Sequence, residues 1–124
     1  MREKSTFRFE KLDVWQRAME WNDQIYRVTN RFPKGEQFGL TSQLRRSSIS
    51  VAANIAEGCA RTSNKDFARF VEISYGSLME ATCECIVAKR QKYLSEEEFD
   101  SIYDNAQELS RMLSGLRSYL LKNK

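Results

Sequence analysis

Four stretches of this chain repeat apolar residues at alternating steps of three and four, separated by short polar segments. That spacing returns side chains to one face of an α-helix and suits no strand. In the last stretch the run is Phe99, Ile102, Ala106, Leu109, Leu113, Leu116 and Leu120. This is a strict heptad seam of the kind that left-handed bundles bury. The first stretch carries Val14, Ala18, Trp21, Ile25, Val28 and Phe32. The second carries Leu44, Ser48, Val51 and Ile55. The third carries Phe67, Val71, Ser74, Leu78, Ala81, Cys85 and Ala88. One proline and five glycines in 124 residues leave little to interrupt helices.

Local signals set the boundaries. Pro33 and Gly35 end the first helix, Thr41 caps the second, and Gly58 suits its C-terminus. Ser63 with Asp66, and Ser95 with Glu98, read as capping boxes. The expected helices cover about 13–31, 41–58, 64–93 and 96–122, in one domain spanning 1–124. Short loops make successive helices antiparallel neighbours. The fold class is therefore all-α, an up-down-up-down, left-handed four-helix bundle. Gly76, placed mid-helix at a cost of about 1 kcal/mol, is expected at a close helix crossing. A second line on helix one, Trp15, Met19, Asn22 and Tyr26, is largely apolar. It is expected to be covered by another subunit.

Several chemistries are excluded by residue type. The chain has no histidine, which removes the commonest general base and the commonest zinc ligand. Its glycines form no phosphate loop. Cys83 and Cys85 sit two apart on a helix and point to nearly opposite sides, so they do not chelate one metal. With Cys59 they read as small core or boundary residues, and no cofactor or metal is expected. No apolar run reaches the roughly 18–20 residues of a membrane span, and the charged segment 1–9 is unlike a signal peptide. A soluble cytoplasmic protein is expected.

Two polar features remain. Gln43, Arg46, Ser50, Asn54 and Glu57 form a line along helix two. A hairpin turning near Arg61 would set Arg46 against Ser77 and Gln43 against Glu80. The leading reading is a satisfied structural seam, with Arg46 bonded to Glu80. A ligand or RNA site, and a subunit interface, are the alternatives. The second feature is charge. The net charge is only +3, but bundle topology gathers Arg2, Lys4, Arg8, Lys11, Arg61, Lys65, Arg69, Arg117, Lys122 and Lys124 at one pole. Glu3, Glu10, Asp13, Glu57 and Asp66 lie there too, ten basic side chains against five acidic. Arg61, Lys65 and Arg69, four apart, line one ridge suited to a phosphate backbone. The segment 53–71 mimics a helix-turn-helix. Its second helix, however, carries apolar spacing for about seven turns and reads as buried rather than free to enter a groove.

Further motifs stand in a recognisable order. They are Phe9-x-x-Leu12-x-Val14-Trp15, Phe32-Pro33-x-x-Glu36-x-Phe38-Gly39-Leu40, Gln43-Leu44-Arg45-Arg46 with Ser50, Ala53-Asn54-Ile55-Ala56-Glu57-Gly58, and Gly76-Ser77-Leu78-Met79-Glu80. In order and spacing the chain resembles the four-helix-bundle proteins of the 23S rRNA intervening-sequence family, from about Phe9 to Leu120. It departs at Ser74 and Ala81, where the family usually has Ala and Leu. The resemblance implies a homopentameric barrel of bundles, with a related branch, the accessory variability proteins of retroelements, binding nucleic acid and a reverse transcriptase. It implies no enzymatic activity. The expected function is an oligomeric accessory protein that binds structured RNA or single-stranded nucleic acid. Arg61, Lys65 and Arg69 would carry the contact, with support from Arg8 and Lys11, and from Arg45 if it points outward. Gln43, Arg46, Ser50, Asn54, Glu57, Ser77 and Glu80 are assigned to structure. The rival is a scaffold that docks a partner protein; an enzyme with a site between subunits would need Glu or Cys chemistry.

Overall fold

A computed structural model describes residues 6–123. All of its regular structure is helical: α1 Asp13–Thr29, α2 Leu40–Cys59, α3 Asn64–Arg90 and α4 Glu96–Lys122. Single 3-10 turns at Arg8–Lys11 and Lys34–Glu36 precede α1 and α2. Helices adjacent in sequence pack on one another, and α1 also packs on α4.

The periodic residues make the core. Val14, Ala18, Trp21, Ile25, Val28 and Phe32 are all buried, as are the seam residues of α4 except Leu116, which is half-buried. Cross-helix bonds fix the registers. Arg17 and Gln24 on α1, and Arg31 just past its end, meet Glu108, Ser101 and Glu98, so partner numbers on α4 fall as those along α1 rise. Ser50 meets Ser77 at 2.8 Å, and the buried Ser74 hydroxyl donates to the Val51 carbonyl at 2.7 Å. This register lies about one helical turn from that expected, which paired Ser77 with Arg46.

The close backbone approach is at Gly58, within α2 rather than beyond its end. A Cβ there would lie 2.6 Å from Phe70 Cβ and 2.9 Å from Phe67 Cδ1. At Gly76 nothing lies within 4 Å of the corresponding position, so no helix crossing among the described residues explains that glycine. The second line on α1 is also met within the chain. Trp15 packs edge-on against Phe9 at 5.0 Å, Ser48 donates to Asn22, and Arg45 lies over the Tyr26 ring. It therefore gives no separate reason for another subunit.

The expected caps form at Ser63 and Ser95, both of which accept the backbone N–H three residues on, but Thr41 lies inside α2, whose N-cap is Gly39. α3 stops at Arg90, three residues before the expected end. Lys92 takes the left-handed conformation (φ 67°), and Tyr93 N–H donates back to the Ala88 carbonyl. This is a glycine-type C-terminal stop built without glycine. α1 stops at Thr29, and the chain tightens into bonds from Arg31 to Val28 and Phe32 to Thr29.

Candidate nucleic-acid interface

The end of α2 and the start of α3 place Arg61, Lys65 and Arg69 on one exposed surface. Between the arginines lies the buried Phe70. The Arg61 guanidinium stands 4.4 Å from its ring centroid and that of Arg69 5.3 Å. One aromatic ring thus holds two long side chains that would otherwise sample many rotamers. Arg61 also pairs with Glu57 at 3.6 Å, and Arg69 with Asp66 at 2.9 Å. Both pairs are exposed, and such pairs are worth roughly 0–1 kcal/mol. Lys65 shares a shallow groove with Ser63, Asp66, Ala68, Arg69, Glu72 and Leu121. Phe70 was not legible as a site residue; its signal was an aromatic one step off the buried line, beside Arg69.

The supporting residues fare differently. Arg8 spends its guanidinium on the chain itself, donating to the Cys59 carbonyl at 2.8 Å and approaching Cys59 Sγ at 3.4 Å. It clamps the N-terminal turn onto the end of α2. Lys11 is exposed. Arg45 does not join this pole. It sits near the start of α2, donates to Thr29 Oγ1 and Asn30 Oδ1, and lies 4.4 Å from the Tyr26 ring centroid. Arg117, counted with the basic pole, pairs with Glu72, a carboxylate the sequence count omitted. Lys122 is exposed, and Arg2, Glu3, Lys4 and Lys124 lie outside the described residues.

The polar line on α2 is not the continuous seam expected. Its middle is: Asn54 donates to Ser50 Oγ and to the Ser50 carbonyl, and Ser50 meets Ser77. Its ends are open. Gln43, Arg46, Glu57 and Glu80 are exposed, and no Arg46–Glu80 bond forms. Instead Glu84 accepts from Ser47 at 2.7 Å. Burial holds the Glu84 carboxyl above the ordinary glutamate range, against the lowering pull of that bond, and Glu80 adds to the rise.

Cys59 and Cys85 are buried and Cys83 is exposed. Burial pushes the Cys85 thiol up to about 12, so it stays protonated at neutral pH. Among the described residues no group of three or more His, Cys, Asp or Glu is placed to hold a metal ion. Among them no helix is long and apolar enough to cross a membrane.

Four helices packed on their neighbours, with no strand among the described residues, define an all-helical protein. Residues 10–115 match the family model of the 23S rRNA-intervening sequence protein, and the chain belongs to that family. In fold it is similar to a crystal structure of a protein of unknown function from the S23 ribosomal protein family of Bacteroides thetaiotaomicron. The two share 23% identity with a TM-score of 0.78, over 84% of this chain and 97% of that one. No curated protein matches.

Proposed function

We propose that the chain is a non-enzymatic cytoplasmic accessory protein that binds structured RNA or single-stranded nucleic acid through phosphate contacts at its basic pole. The observation that carries this reading is the placement of Arg61 and Arg69 on one Phe70 ring beside Lys65. Guanidiniums held in place lose less freedom when they meet a phosphate. Their present partners are exposed carboxylates, which a phosphate backbone can displace.

The unit is an up-down-up-down, left-handed bundle in this proposal, supported by the falling registers and the heptad seam of α4. It assembles with copies of itself as a pentamer. Support comes from α3, which exposes Ile73, Tyr75, Met79, Ile86 and Val87. Five large apolar side chains left on one helix mark an interaction surface. The exposed apolar residues of α3 favour a second reading, a scaffold for a partner protein.

Fluorescence anisotropy with a labelled RNA hairpin across a salt series tests the proposal. Log affinity should fall linearly with log salt, at about 0.7–0.9 per phosphate neutralised. Reversing the charge of Arg61, Lys65 and Arg69 together should flatten that slope. Absence of binding at low salt, with a partner captured despite nuclease treatment, would support the scaffold instead. Light scattering should give a mass near five times 14.5 kDa; a monomer at micromolar concentration would remove the pentamer.

A further inference from the structure

The loop between α1 and α2 carries Phe38, whose side chain is 91% exposed. No core contact accounts for an aromatic ring presented so fully to water. It borders a groove of about 460 Å3, whose lining includes Tyr26, Gln37, Arg45 and Arg46. The lining holds two guanidiniums and no carboxylate. Arg45 is already committed to Tyr26, Thr29 and Asn30. Arg46 is exposed and has no ion pair or hydrogen bond among the described residues. The one carboxylate of the loop, Glu36, is occupied elsewhere, accepting from Leu40 N–H and the Tyr93 hydroxyl.

We propose that this groove binds one nucleotide of a single-stranded nucleic acid, with its base on the Phe38 ring and its phosphate on Arg46. The site lies at the pole opposite Arg61, Lys65 and Arg69 and is a second contact, separate from the first. An exposed aromatic stacks on any base, and an adjacent guanidinium meets the phosphate that follows it. The polar lining supplies side-chain amide donors from Gln37. An apolar partner would leave the Arg46 charge unanswered, and the fully exposed Phe38 ring beside it suits a base, which favours a nucleotide over a protein face. The α3 surface differs on this point. Between Glu72 and Lys89 it carries carboxylates and no cation, so it suits a protein neighbour rather than a phosphate.

The test is anisotropy of a fluorescein-labelled oligo(dT) single strand against the full chain and four variants. Phe38→Ala should weaken binding about tenfold, the loss of one base–aromatic stack. Phe38→Trp should keep it. Arg46→Gln should weaken binding and lower the salt slope by about 0.7, one phosphate of a single strand. The mass by light scattering should stay at the parent value in all three. Phe38 and Arg46 are exposed, and matching thermal melts confirm intact folding. Parent-like affinity in Phe38→Ala or Arg46→Gln overturns the proposal, as does no binding of oligo(dT) by the parent. A fall in mass for Phe38→Ala also overturns it, because the ring would then be seated in a second copy. The fourth variant reverses the charge of Arg61, Lys65 and Arg69 and is titrated with the RNA hairpin. Failure there alone counts against the basic pole and leaves the Phe38 site standing.

Discussion

The seams α2–α3 and α1–α4 bring two helices together by opposite means. In α2–α3 the contact is made by what is missing. Gly58 lets the Phe67 and Phe70 side chains reach the α2 backbone, and serine hydroxyls span the rest. In α1–α4 long side chains do the bridging. Arg17 reaches Glu108, Gln24 joins Ser101 and Asn105, and Arg31 reaches Glu98. Trp21 is the buried anchor of that seam, donating its indole N–H to the Ile102 carbonyl at 3.1 Å. A groove of about 470 Å3 stays open beside it, lined by Arg17, Glu20, Gln24 and Asn105 among others. Small residues give close packing that tolerates no addition. Long polar residues give a seam that tolerates change but resists little.

The sharpest break of this contrast is at Gly58. Gly58→Val places carbons where Phe70 Cβ and the Phe67 ring already stand. Overpacking against a backbone-anchored Cβ costs about 3 kcal/mol, and chemical denaturation should show the midpoint falling accordingly. On the other seam, Trp21→Phe removes the indole hydrogen bond and leaves a void against α4. A loss of about 2 kcal/mol is expected in the same assay. Equal losses would erase the ranking of the two seams, and a larger loss at Trp21 would reverse it.

Gly76 sharpens the comparison from the other side. It faces open space, so Gly76→Ala should raise stability by about 1 kcal/mol through helix propensity alone. That holds if the α3 face meets nothing at this point. A drop in light-scattering mass instead would place the close neighbour of Gly76 in another copy of the chain.

The sequence was most legible where periodicity governs. The runs on α1 and on α4 from Phe99 to Leu113 are buried as their spacing implies. It was least legible where stagger governs. Turn position predicts which helices are antiparallel, but not how far one slides along the other, and the slide of one turn broke the expected pairing of Arg46 with Ser77. The close approach expected at Gly76 falls at Gly58 instead. Helical spacing carries this outcome: Gly58 continues the line Leu44, Ser48, Val51 and Ile55, whereas Gly76 lies two residues from both Ser74 and Leu78, nearly opposite the buried line. At the basic pole, residue types located Arg61, Lys65 and Arg69. Only the side-chain geometry separates those guanidiniums from that of Arg8, which is spent on Cys59, and reveals Phe70 beneath two of them.

The smallest expected effect is a pH dependence of opposite sign on the two seams. Glu84 on the α2–α3 side has its pKa raised, chiefly by burial. A carboxyl raised in the folded state opposes folding when ionised, and that opposition is relieved as pH falls through its folded value. Glu98 on the α1–α4 side has its pKa lowered, first by the Ser95 backbone N–H and then by Arg31. Its contribution is present above the unfolded glutamate value and is lost as pH falls through the lower folded value. Glu84→Gln should therefore melt slightly higher than the parent at neutral pH, and the gap should close on acidification. Glu98→Gln should melt slightly lower at neutral pH, and its gap should close at a more acidic pH than that of Glu84→Gln. Thermal melts from about pH 7 to about pH 3 follow both gaps. Two gaps of the same sign would mean that Glu84 gains more from the Ser47 hydroxyl than it loses to burial. The α2–α3 seam would then be held by its polar bonds as much as by its close backbone.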